Sequence, residues 1–158
     1  MHQRRTLVVV DVQTEFEATW PDWLKEGVMR EIEEARFRGD AIIMLEFFSV
    51  NPPRTFGNTY PHLVAVAAAG NQAGFAMRAK ALEDGSERVL DACAKMGFPT
   101  DLFRVCGVNT HACILATVVG LVRTFPSCFI EVPTYACNDY RGNHWAAFPR
   151  LPNVLLLT

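Results

Sequence analysis

Apolar positions fall along the chain in two alternating patterns. Thr6-Leu7-Val8-Val9-Val10 is a β-branched run with no polar face, which reads as a central strand buried on both sides. Asp11 ends it. Residues 23–38 place Leu24, Val28, Ile32 and Ala35 on one helical stripe with charges opposite, an amphipathic helix. Pro21 and Asp22 mark its start, and Gly39 suits its C-terminal stop. Ala41-Ile42-Ile43-Met44-Leu45 is a second buried strand. Residues 51–61 are rich in turn formers and read as a loop. Residues 63–69 form a short helix and residues 74–79 a further strand. Asp84 and Glu87, at capping-box spacing, open a helix that Gly97 ends; its expected buried stripe is Val89, Leu90, Cys93 and Ala94. A strand over 102–106, a turn over 107–110 and a helix over 111–124, apolar nearly all round, follow. Residues 128–132 and 154–157 are two more strands.

This order predicts an α/β fold. Three layers, α-β-α, enclose a mostly parallel, roughly six-stranded sheet, a Rossmann-like arrangement. No linker or internal repeat divides residues 1–158, so one domain is expected. Ligands of such sheets sit at the carboxyl ends of the strands. That edge collects Asp11, the residues after Leu45, Lys80 and the turn from Gly107 to Cys113.

Composition narrows the class. Of 158 residues, 50% are hydrophobic and 20% charged, the balance of a globular protein. The net charge of −2 offers no broad footprint for nucleic acid. Five cysteines, Cys93, Cys106, Cys113, Cys128 and Cys137, form an odd set with no CxxC pair, which argues against a zinc site and against a secreted disulfide framework. No signal-peptide h-region precedes the first strand, and the longest apolar stretch, residues 112–122, is short of a membrane span. A cytoplasmic setting is the expectation. Mean hydropathy of +0.10 in a short chain points to a homo-oligomer.

Candidate chemistry lies on the predicted ligand edge. Cys113 stands at the start of a helix, where unpaired N–H groups and the helix dipole favour a thiolate and can hold an oxyanion. Read by position alone, an inert buried cysteine is equally good. Asp11 ends a central strand, where a carboxylate is costly unless solvated, paired or used; a loop cap is its structural reading. Lys80 alone is indistinguishable from a surface lysine.

At these three positions together the sequence resembles the isochorismatase-like cysteine hydrolases, the superfamily that includes nicotinamidases. Leu7-Val8-Val9-Val10-Asp11-Val12-Gln13-Thr14-Glu15-Phe16 is similar to the family's first strand, and Val105-Cys106-Gly107-Val108-Asn109-Thr110-His111-Ala112-Cys113 to its nucleophile turn. Lys80 falls 33 residues before Cys113, about where the family's lysine lies. The resemblance implies a Cys-Asp-Lys triad. Asp11 is the general base, Lys80 its partner, and Cys113 the nucleophile that attacks a small amide or related carbonyl through a thioester. It also implies an oxyanion hole from the N–H groups of Asn109 and Cys113, and a cis peptide joining Val108 and Asn109. Phe16 matches a position lining the family's substrate pocket; Gln13 and His111, within the two motifs, are assigned to the same pocket.

The chain departs from the pattern in two places. Nicotinamidases carry an Asp-x-His metal site after the second strand, where this chain reads Leu45-Glu46-Phe47-Phe48-Ser49-Val50-Asn51. Glu46 alone is a poor transition-metal site, so no metal and no cofactor are expected and nicotinamide is disfavoured. The other histidines, His2, His62 and His144, are scattered. The C-terminal helix that often covers the sheet in the family is not expected after residues 154–157; residues 135–150, with Trp145 and Phe148, are read as covering a face instead, those aromatics being either core or pocket. The loop over 50–61 is read either as a substrate lid or as a plain connection. An alternative function is a catalytically silent member that binds a small molecule or serves as an oligomeric scaffold. A nucleotide-binding reading finds no GxGxxG or GxxxxGK[ST] after any strand.

Overall fold

β1 (Thr6–Val10) is the axis of the molecule, buried along its whole length. The computed structural model describes residues 3–71 and 74–158; His2 lies outside the described residues. β1 pairs in parallel with β2 (Ala41–Val50) on one side and β5 (Leu102–Val108) on the other. Beyond β2 comes β4 (Phe75–Lys80), and beyond β5 come β6 (Phe129–Pro133) and β8 (Val154–Leu157), all parallel. The six strands β4-β2-β1-β5-β6-β8 are those expected from sequence. Two short strands were not foreseen. β3 (Pro53–Thr55) returns antiparallel onto the end of β2, and β7 (Cys137–Asn138) adds to the end of β5.

Helix α1 (Asp22–Arg38) lays Leu24, Val28, Ile32 and Ala35 on the sheet and packs against α2 (Pro61–Ala68). Gly39 ends α1 with φ of 72°, donating its N–H to Ala35 and Arg36, the left-handed stop that glycine supplies at least cost. On the other face α3 (Ser86–Met96) packs against α4 (Leu115–Thr124). The buried positions of α3 are Ser86, Val89, Ala92 and Cys93. Leu90, expected in the stripe, is 42% exposed, and Ala94 is exposed too, because the stripe runs through the i, i+3, i+4 set started by Val89. The capping box does not form either. Asp84 accepts the Ser86 N–H at 2.8 Å, and Gly85 occupies the cap.

The helix expected over 111–124 has two parts. Residues Thr110–Ile114 form a wide turn in which the Ile114 N–H reaches back five residues to Asn109 O at 3.0 Å; only then does α4 begin. Such π-type turns are rare and recur at functional sites. Phe148 is buried against the fold, with Trp145 packed on it at 5.6 Å, so these aromatics are core elements.

The chain runs from β1 outward to β2 and β4, then crosses back to β5. The sheet's switch point therefore lies between β1 and β5, and the crevice beyond their carboxyl ends is the place such folds use for ligands. Gly107 makes that junction tight. Its φ is 121°, and a Cβ there would overlap the Val10 carbonyl.

Candidate active site

Asp11 enters the crevice directly from β1. Its backbone takes φ of 54° and donates its N–H to Leu45 O at 3.0 Å, which turns the chain off the sheet. The side chain is 1% exposed. Lys80 ends β4, two strands away, and a long side chain is needed to cross over β2. Its ammonium lies 2.9 Å from Asp11 Oδ2 and is itself 1% exposed. Lys80 Nζ donates to the carbonyls of Leu82 and Glu83 at 3.0 and 3.3 Å and stands 4.9 Å from the centre of the Phe47 ring. Neither Asp11 oxygen has a hydrogen-bond partner of ordinary geometry. The pair is thus held by charge, and the carboxylate keeps open acceptor positions in a buried site.

Cys113 comes to the same point from the wide turn after β5. It is 8% exposed, and its thiol interacts with both Asp11 and Lys80. The helix-start position favours a thiolate, and burial opposes it. Burial pushes the thiol up to about 12, the Asp11 charge adds to the rise, and Lys80 only partly opposes it. Burial likewise raises Asp11 above the ordinary carboxylate range against the pull of Lys80. A buried acid-base pair of this kind favours one shared proton and disfavours two charges. The other four cysteines are free and buried. Burial lifts Cys93, Cys106, Cys128 and Cys137, as expected of thiols in apolar surroundings.

Around this centre the structure sorts the remaining sequence candidates. The Val108–Asn109 peptide is cis, as the resemblance implies. Phe16 lines a cleft of about 400 Å³ with Arg54, Phe56, Asn109 and Tyr140. Phe16 stacks on Phe56 at 4.8 Å, and Phe47 meets Phe56 at 5.5 Å, so an aromatic trio joins this cleft to Lys80. Gln13 does not share it. Its amide donates to Phe47 O and Gly57 O at 3.1 and 3.0 Å and accepts the Phe47 N–H at 2.7 Å. Gln13 is a bracket between β2 and the loop over 50–61, because its buried side chain finds matching backbone groups there. The bracket, with Glu15 N–H donating to Phe56 O at 3.1 Å, ties that loop to the residues after β1. His111 turns away to the segment after β7, where its Nε2 accepts the His144 N–H at 3.0 Å. Phe47, Phe56 and that segment escaped the sequence reading; only a run of turn-forming polar residues, 138–144, marked the last of them.

The metal position of nicotinamidases has no counterpart in the residues present. Glu46, half-buried, accepts the Thr59 N–H at 3.2 Å, and its neighbours are phenyl rings. Among the described residues no group of three or more His, Cys, Asp or Glu side chains is placed to hold a metal ion, so the donor set does not fit one.

No protein-family model matches the chain, and no curated protein matches it by sequence. Solved structures do. A nicotinamidase from Staphylococcus aureus superposes with a TM-score of 0.77 at 16% identity, over 98% of this chain and 99% of that one. An N-carbamoylsarcosine amidase from Thermoplasma acidophilum gives 0.72 at 17% identity, over 98% and 96%. A ribonuclease from Caenorhabditis elegans gives 0.68 at 19% identity, over 86% of this chain and 65% of that one. The class is thus a three-layer α/β protein with the fold of nicotinamidases and isochorismatases. Identities this low establish the fold, and a fold serves more than one chemistry.

Proposed function

We propose that the protein is a metal-independent cysteine hydrolase that cleaves a small amide or a related carbonyl compound. One observation supports the reading: Asp11 at the end of β1 and Lys80 at the end of β4 form a buried 2.9 Å ion pair at the switch point, and the Cys113 thiol, on the turn after β5, lies within reach of both charges. Burying an aspartate-lysine pair is costly and adds little stability over apolar packing. A site that also raises the carboxyl and the thiol is poised for proton transfer.

The resting thiol keeps its proton at neutral pH. As Cys113 Sγ attacks the carbonyl carbon, Asp11 takes that proton, and the N–H groups of Asn109 and Cys113 receive the developing oxyanion. Lys80 keeps Asp11 oriented and limits the rise of its proton affinity. Asp11 then passes the proton to the leaving amine, the C–N bond breaks, and a thioester remains on Sγ. Water, deprotonated by Asp11, attacks the thioester carbon; the C–S bond breaks, the acid leaves, and Asp11 returns the proton to Sγ. Phe16 and Phe56 offer a flat apolar wall for the rest of the substrate.

The substrate is a small molecule in this reading, and the setting is the cytoplasm, where free thiols persist. The test is C113A against the wild-type chain on a panel of small amides. Turnover and labelling by a thiol-reactive probe at this site should both vanish. Unchanged turnover in C113A would remove the nucleophile assignment.

A further inference from the structure

The turn that carries Cys113 is held from outside by one segment, residues 138–144. Four hydrogen bonds join them. Tyr140 N–H donates to Asn109 Oδ1 at 3.0 Å. The Thr110 hydroxyl donates to Asn143 Oδ1 at 2.6 Å. His111 N–H donates to Asp139 Oδ2 at 2.9 Å, and His144 N–H donates to His111 Nε2 at 3.0 Å. The segment is also closed on itself: Asn143 Nδ2 donates to Cys137 O at 2.8 Å, and Arg141 N–H donates to Asp139 Oδ1 at 3.0 Å. Thr110 is 0% and Asp139 5% exposed, so two of these bonds involve deeply buried side chains.

All four bonds land on Asn109, Thr110 and His111, the three residues that follow the Val108–Asn109 cis bond and precede Ala112 and Cys113. The turn's own backbone bonds run from Ala112 and Ile114 N–H to Asn109 O and from Leu115 N–H to the carbonyls of Ala112 and Thr110, the wide spacing of a π-type turn, and the segment adds bonds to side chains and N–H groups that this set leaves out. An oxyanion hole works only when its donors stand 2.7–3.1 Å from the place where charge develops. Among the described residues, the hydrogen bonds that hold Asn109, Thr110 and His111 through their side chains and N–H groups from outside the turn all come from this segment, two from side chains (Asp139, Asn143) and two from backbone N–H groups (Tyr140, His144).

We propose that residues 138–144 are the positioning element of the nucleophile turn, with Asn143 and Asp139 as positioning residues that keep the amides of Asn109 and Cys113 aimed at the acyl oxygen. Neither touches substrate. The catalytic half of this inference rests on the hydrolase reading above; the holding of the turn does not.

T110V removes the Thr110–Asn143 bond with almost no change in volume, N143A removes it together with the Asn143 bond to Cys137 O, and T110S keeps it. In N143A and T110V, kcat on an amide substrate falls about 10- to 100-fold, somewhat less than deletion of an oxyanion donor, while KM stays within about twofold. T110S remains near wild type. The double variant T110V/N143A is no worse than the weaker single one, as expected for two ends of one interaction. Alkylation of Cys113 by iodoacetamide is the control. There Sγ displaces iodide, the S–C bond forms as C–I breaks, and the proton leaves for Asp11, with no oxyanion to hold. Its rate stays within about twofold of wild type. An unchanged kcat, or alkylation falling in step with kcat, overturns the positioning role. Amide hydrogen exchange decides the hold itself without any substrate: exchange at residues 109–113 quickens in N143A and T110V while α3 is unaffected, and unaltered exchange overturns it. Amide turnover that survives in C113A defeats the hydrolase reading separately.

Discussion

Lys80 shows how much one side chain depends on its surroundings. In the sequence it is an ordinary lysine; in the structure it is fully buried and spans β2 to reach Asp11. Its charge lowers the proton affinity of Asp11, while burial raises it further than Lys80 lowers it. The sign of a pH effect follows. Asp11 must be ionised to accept the thiol proton, so activity is lost as pH falls through its raised value. The acid limb of kcat/KM should lie above the ordinary aspartate value of about 3.9. K80M removes the opposing charge, so the limb should move to higher pH and kcat should fall by about a hundredfold or more, the lower end of the range for disturbed acid-base catalysis. A pH–rate profile measures this, or carbon NMR titration of the Asp11 carboxyl where turnover is too slow. A limb that stays in place or moves down would contradict the assigned pairing.

Among the elements, β5 has two functions on one strand. Its carboxyl end makes the nucleophile turn. Nearer its start, Arg104 is buried beneath α1 and bonds Glu31 through Nε and Nη2 at 2.6 and 3.0 Å, with Glu131 at 3.0 Å and Tyr135 beside it. Burial works against the Arg104 charge, but Glu31 and Glu131 override it and hold the guanidinium above its ordinary range. Helical spacing puts Glu31 on the buried stripe of α1, three residues after Val28 and four before Ala35, but only the placement of β5 beneath it supplies the cation that a buried carboxylate needs. R104M leaves the Glu31 carboxylate buried without its cation and should destabilise the fold by about 3–5 kcal/mol. The paired change R104M/E31L should recover most of that loss. Urea unfolding measures both; a loss under about 1 kcal/mol in R104M would show that water solvates the carboxylate.

For the whole molecule, parallel topology decides what meets what. The order β4-β2-β1-β5-β6-β8 places the switch point between β1 and β5, which turns three residues far apart in sequence into neighbours. The same topology leaves β4 and β8 as edges of the main sheet, with Phe129 59% and Leu155 57% exposed near the second. No helix among the described residues is long and apolar enough to cross a membrane. Self-association is expected from the apolar composition. Sedimentation at micromolar concentration should give a mass above the 17.7 kDa of one chain; a monomer mass across that range, where a weak dimer already responds to concentration, would end the idea.

The sequence by itself determined the six parallel strands, the helices between them and the edge on which chemistry collects, because burial on both faces and helical spacing are local patterns that write themselves into the order of residues. Asp11 and the turn up to Cys113 were legible for the same reason: each sits where a strand pattern stops. Tertiary structure alone decided the rest. It brought Lys80 over β2, gave Gln13 and His111 backbone partners, raised the Cys113 thiol by burying it beside a carboxylate, and set residues 138–144 against the nucleophile turn. Those outcomes depend on contacts between residues some 30 or more positions apart, and the free energies of such contacts belong to the assembled site, where dielectric, distance and unpaired groups are fixed together.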